Sequence, residues 1–107
     1  EKLFSMIASV CFQGHTHVPG VFTNEMEFIY QADISGGLQL KENERYMVNV
    51  GSVGQPRDGD WRSCYVIYDS PHVYFHRVEY DVDSVAKMIS DIPELDNFLG
   101  ERLLEGR

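Results

Sequence analysis

A chain of 107 residues matches the size of one domain and can bury only a small core. Its 43% apolar and 12% aromatic content excludes a disordered tail, and no apolar run approaches the roughly 20 residues that span a bilayer. Net charge is −8, from 17 acidic and 9 basic side chains. The excess is even along the chain, with 8 acidic and 4 basic residues up to Asp60 and 9 and 5 after it. Such a surface repels a phosphate backbone and disfavours nucleic acid as a partner. It still admits a small phosphorylated ligand beside a locally bound cation.

No charged segment followed by an apolar stretch opens the chain, so no secretory leader is read. The first residue is Glu1 rather than methionine, which points to upstream residues having been removed. Cys11 and Cys64 are far apart and outside any CxxC pair. Two such thiols fit a reducing, cytoplasmic setting, as small apolar groups rather than a disulfide.

In chain order, residues 1–9 are expected to end a helix that packs through Leu3, Phe4 and Ile7. Val10-Cys11-Phe12 is a short apolar run halted by Gly14 and is expected to be a buried strand. Further strands are expected at 18–22, 26–31 and 45–50, with turns at Ser35-Gly36-Gly37 and Lys41-Glu42-Asn43-Glu44. Residues 51–60 hold three glycines and a proline, which marks a long shaped loop. The clearest hairpin pairs Ser63–Asp69 with His72–Tyr80 across Ser70-Pro71, both arms rich in Val, Ile, Tyr and Phe. Two helices follow. Val82, Val85, Ala86 and Ile89 recur at helical spacing behind Asp81 or Asp83 as cap, and Leu95, Phe98, Leu99 and Leu103 repeat the pattern after Pro93. Strands followed by two helices predict a sheet covered by helices on one face.

The segment with the most chemistry is Gln13-Gly14-His15-Thr16-His17-Val18-Pro19, where a strand meets a loop. On an extended backbone, residues i and i+2 share a face with Cα atoms about 6–7 Å apart. Two imidazoles so placed can share a metal, or hold one each at the roughly 3.5–4 Å separation of binuclear hydrolytic centres. Gly14 is expected to allow a close approach or sharp turn, and Pro19 to stiffen the exit. An isolated His-x-His is common in surface strands, so spacing alone does not supply the remaining ligands. Asn49 and Ser52 either orient the histidines or satisfy their own tight loop. Arg57 either meets a substrate phosphate or pairs with Asp58 or Asp60. His72, Tyr74 and His76 share a strand face and are read as half-buried sheet positions rather than a second metal site. Trp61, Tyr65, Tyr68 and Phe75 are read as packing groups rather than a nucleobase platform.

Gly14-His15-Thr16-His17 resembles the last metal motif of the calcineurin-like metallophosphoesterases. The run from Asn49-Val50-Gly51-Ser52 to Gly59-Asp60 resembles the Asn-x-Gly-Ser loop of their small bacterial and archaeal phosphodiesterase branch, and Phe75–Asp81 is similar to that branch as well. The likeness covers essentially the whole chain, with its motifs in order. The family's earlier Asp-x-His, Gly-Asp and Gly-Asn-His motifs have no counterpart here, and Gly59-Asp60 lies in the second loop and does not take that role. The resemblance therefore implies that residues 1–107 are one partial domain, the C-terminal half of an α-β-β-α sandwich of the α/β class. Its strands would be mostly antiparallel or mixed, followed by two helices.

For function the resemblance implies a phosphoesterase, in particular a phosphodiesterase, acting on small phosphate esters or nucleotides through water activated by two divalent ions (Mn, Fe, Ni, Co or Zn). His15 and His17 would be ligands, one per metal, with Gly14, Asn49, Ser52 and Arg57 supporting them or facing substrate. The chain alone is expected to be inactive, and to self-associate or pair with a missing N-terminal half. The alternative is a non-catalytic scaffold, since this fold also serves as a docking surface.

Overall fold

The computed structural model describes residues 1–107. Seven strands form two sheets. β1 (Val10–Gln13), β2 (Gly20–Thr23), β3 (Phe28–Tyr30) and β5 (Tyr46–Asn49) build a mixed sheet of order β1-β5-β2-β3. β4 (Leu38–Gln39), β6 (Ser63–Asp69) and β7 (His72–Val78) build an antiparallel sheet of order β4-β7-β6. Helices α1 (Val82–Ser90) and α2 (Phe98–Glu105) close the chain.

The core lies between the sheets. β5 and β2 are the inner strands of the first sheet, where Val48 and Val21 sit opposite each other and neither is exposed. They pack with Tyr46, Leu40 and Val73 of the central strand β7, and Val10, Ile34, Leu38, Val66 and Phe75 surround them. Face-to-face sheets with alternating inward residues are the usual solution for strands of this composition. The expectation of mixed strands followed by two helices is met.

Several local expectations are corrected. Residues 1–9 form no helix end, only a single 3-10 turn, Phe4–Met6. Phe4 is buried, but Leu3 is 61% exposed. The Ser5 hydroxyl bonds back to the Lys2 carbonyl, and Ile7 is already extended toward β1. One turn is too short to propagate as a helix. β1 is an edge strand rather than a buried one, and Phe12 is 40% exposed where it leans on Tyr68 at 5.2 Å. The strand expected at 26–31 begins only at Phe28, because Met26 turns the chain with φ 66°. β4, only two residues long, had no signal in the sequence.

Asp81 caps α1 as expected, accepting from the Ser84 amide at 3.2 Å. Leu95 precedes α2, and Leu95 and Phe98 stay largely exposed, so Leu103 carries the burial on that helix. The two helices pack mainly on each other rather than over a sheet face. They pack tightly at Gly100, where a Cβ would lie 2.7 Å from the Ala86 carbonyl oxygen.

The radius of gyration is 16.0 Å and the extents are 52 × 29 × 18 Å, whereas a compact domain of this length has a radius near 13 Å. The molecule is an open slab with 19 of 107 residues buried. Phe22 and Tyr30, 39% and 56% exposed, stand on the outer face of the first sheet. No helix is long and apolar enough to cross a membrane.

Gly100→Ala tests the helix contact by its sign. Alanine favours a helix interior by about 1 kcal/mol over glycine, so a loose contact gives a higher melting temperature. The close approach instead predicts a lower one, because overpacking costs typically about 1–3 kcal/mol.

Candidate metal centre

β1 and β5 run parallel, with Gln13 opposite Asn49, so both strands end at the same edge of the sheet. The loop of residues 14–19 leaves β1 there, and the loop that begins at residue 50 leaves β5 beside it. Loops at the carboxyl ends of adjacent parallel strands are the common place for ligand sites in such sheets. The pairing continues one step into the second loop, where the Val50 amide donates to the Gln13 carbonyl at 2.9 Å.

The histidine loop is not extended. His15 has φ 75° and His17 φ 63°, both left-handed. The Thr16 amide donates to the Gly14 carbonyl at 3.0 Å, closing a three-residue turn centred on His15. The alternation of an extended strand therefore does not apply, and the expectation that it orients the two rings is corrected. The expectation for Gly14 is corrected too. A Cβ there would meet nothing within 4 Å, and the left-handed backbone falls on the histidines instead. Gly14 contributes its carbonyl oxygen.

Left-handed residues other than glycine persist where their surroundings over-determine them, at a cost of about 1–3 kcal/mol each. Here the determinants are visible. Asn49, 4% exposed, donates through Nδ2 to the Gly14 carbonyl at 3.0 Å and to Thr16 Oγ1 at 2.8 Å, while its Oδ1 accepts from the Gly51 amide at 3.0 Å. The His17 carbonyl accepts from the Arg57 amide at 3.0 Å. Ser52 Oγ accepts from the Gln55 amide at 2.9 Å, a bond within its own loop. The turn that this bond closes carries the Gln55 carbonyl to His17.

That carbonyl lies 2.8 Å from His17 Nδ1. A carbonyl only accepts, so Nδ1 carries the proton, and in the neutral ring Nε2 keeps its lone pair. This is the arrangement seen in metal-binding histidines, whose other nitrogen donates to a fixed acceptor. His15 is exposed and its ring makes no hydrogen bond within the chain. Both imidazoles fit a divalent transition ion as ligands. The chain groups no third His, Cys, Asp or Glu with them, so two nitrogen donors are its share of any such centre.

The second loop is anchored on its far side by a charge cluster that sequence reasoning missed. Arg77, its side chain 5% exposed, donates to Asp58, to Gln31 Oε1 at 3.1 Å and to the Arg62 carbonyl at 3.0 Å. Arg62 grips Asp60 with two donors, at 3.0 and 2.7 Å. The Gly59 amide donates to the Gly106 carbonyl at 2.9 Å, and Gly106 ends α2 at φ 66° against the Asp60 backbone. Arg57 therefore does not pair with Asp58 or Asp60, as one reading expected, because Arg77 and Arg62 occupy both. Its guanidinium is exposed and reaches only Gln55 Oε1 at 3.4 Å. The only sequence signal for the cluster is the alternation Asp58, Asp60, Arg62. Arg77 on β7 is too distant to read from spacing.

His72 stacks on Tyr74 at 5.9 Å and His76 on Tyr65 at 5.0 Å, as sheet positions do. Trp61 packs with Tyr80 at 6.0 Å. Both cysteines are free, and burial pushes the Cys64 thiol pKa up, which keeps it protonated and inert.

A crystal structure of a metallophosphoesterase from Sphaerobacter thermophilus superposes with a TM-score of 0.78 at 34% identity, over 94% of this chain and 44% of that one. The chain has the fold of the matching part of that metallophosphoesterase. It is also 39% identical over 100 residues to the uncharacterized protein MJ0912 of Methanocaldococcus jannaschii, covering 90% of this chain and 39% of that protein. The chain thus spans less than half the length of either match. No protein-family model matches it.

Two measurements check the local chemistry. In the metal-free chain, ¹⁵N resonances should show His17 as the Nδ1-protonated tautomer. An Nε2-protonated ring would contradict the Gln55 contact. Asp60 is held below the usual carboxylate pKa, chiefly by its hydrogen bond to Arg62. Its contribution to stability is therefore complete above the unfolded pKa of about 4. It is lost as pH falls through the depressed folded value. Thermal melts of the wild type should steepen on that acid side, and Asp60→Asn should flatten the limb while lowering stability at pH 7.

Proposed function

We propose that this chain is the C-terminal part of a metal-dependent phosphodiesterase acting on small phosphate esters or nucleotides. The observation that carries the proposal is the pair of imidazoles at the shared end of β1 and β5, one locked by the Gln55 carbonyl with Nε2 free. His15 and His17 each serve as a ligand, one to each of two divalent ions of the Mn, Fe, Co, Ni or Zn type. When bound, such ions acidify a water and neutralise phosphate oxygens during in-line displacement. The chain's own residues supply two nitrogen donors, that of His17 held by the Gln55 carbonyl, and, at Arg57, an uncommitted guanidinium suited to forking onto a phosphate. Because the Arg57 amide holds the His17 carbonyl, that side chain starts beside the centre.

Two donors do not complete a binuclear centre, and the remaining ligands come from elsewhere in the whole protein. β1 and β6 are edge strands of their two sheets, and the Phe12–Tyr68 contact places them on the same flank. That flank, with its unpaired strand edges, is where the rest of the fold adds on. Pairing with that other half, in a cytoplasmic protein, is the partnership this reading expects.

The exposed apolar outer face of the first sheet favours a second reading, a non-catalytic docking scaffold. Activity separates the two. On bis(p-nitrophenyl) phosphate with Mn²⁺, the whole protein should turn over and the 107-residue chain should not. His17→Ala in the whole protein should lower kcat/KM by about 100-fold, the upper range for disturbing a metal ligand's environment. Vigorous hydrolysis by the chain alone would overturn the two-part picture, and a whole protein that is inactive with every candidate metal would favour the scaffold.

A further inference from the structure

We infer that Asn49 is the positioning residue of the histidine centre, acting on the loops that carry the rings rather than on either ring. The inference rests on the reading of His15 and His17 as metal ligands. The Asn49 amide bridges Gly14 and Thr16, the two neighbours of His15, and so spans the turn that aims that side chain. Its oxygen holds the Gly51 amide, at the start of the loop that delivers the Gln55 carbonyl to His17. One buried side chain therefore couples both histidines to the end of β5.

The partners fix the amide's orientation, since the Gly51 amide can only donate and the Gly14 carbonyl can only accept. They also fix the residue type. Aspartate has the same shape but no donor for the Gly14 carbonyl. Glutamine is a methylene too long for a site that is 4% exposed. Serine is too short to reach three partners.

The test is calorimetric titration of Zn²⁺ into the whole protein as wild type, Asn49→Ala, Asn49→Asp and Val73→Ala, with thermal melts of each. Should Asn49→Ala fail to fold, the near-isosteric Asn49→Asp, which keeps the acceptor for Gly51, carries the test. Both Asn49 variants should weaken Zn²⁺ binding by at least about 10-fold, as removal of a supporting residue around a metal ligand does. Val73→Ala removes bulk from the inter-sheet core without touching either loop, so it should melt earlier yet bind as the wild type does. In the metal-free protein, the amide resonances of His15 and Thr16 should shift in Asn49→Asp and stay in place in Val73→Ala. A folded Asn49→Asp with wild-type affinity and unmoved His15 overturns the inference. So does a Val73→Ala variant that loses affinity equally, since the effect would then be stability alone. A wild-type whole protein that takes up no Zn²⁺ removes the ligand reading itself, and that failure is distinct because it precedes any comparison of variants.

Discussion

The short parallel ladder between Val10–Gln13 and Tyr46–Asn49 is the constraint on which the candidate centre depends. Parallel strands need a long crossover, and here the crossover runs out through β2 and β3 and back through β4. β2 pairs antiparallel with the far side of β5, so the strand that bears Asn49 is locked on both edges. Its C-terminal end cannot slip by a residue without turning Val48 out of the core. The register that buries Val48 thus also sets Asn49 opposite Gln13, directly beneath the histidine loop. Core packing and site geometry have the same cause.

The energetics of that loop balance at the level of single interactions. Two left-handed histidines cost together about 2–6 kcal/mol. Against this stand the two Asn49 bonds to the loop, the Gln55 carbonyl on His17, the Arg57 amide on the His17 carbonyl and the Val18 amide on Thr16 Oγ1. Five hydrogen bonds at a net value of about 1 kcal/mol each offset a strain of that size. A conformation so narrowly held is specified by its partners, not by the preference of histidine.

This explains which parts were legible in the sequence. The 63–80 hairpin and the Asp81-capped helix were readable because alternation, helical spacing and capping are local signals, and local signals decided those elements. The His-x-His motif was readable as chemistry. Its backbone was not, because histidine tolerates left-handed φ without announcing it, and Gly14 drew the expectation of a turn onto the wrong residue. Asn49 read equally well as a satisfied loop residue. Only its bonds to Gly14 and Thr16, far away in sequence, show that it serves the other loop. Arg77 was invisible for the same reason, since a buried guanidinium that collects Asp58, Gln31 and the Arg62 carbonyl is a product of tertiary structure.

The open shape of the slab gives these long-range ties their meaning. A loop at the edge of a partly exposed fold would normally be mobile, and a ligand on it would then bind weakly because ordering opposes binding. The loop after β5 escapes this by being tied at several places, among them by Asn49 to the histidine turn, by Arg77 to the β7 strand, and by Gly59 to the end of α2. Sites whose supporting residues are themselves locked keep their geometry without help from the ligand. The His17 ring is consequently oriented by the Gln55 carbonyl within this chain alone, without any metal, substrate or further segment of protein.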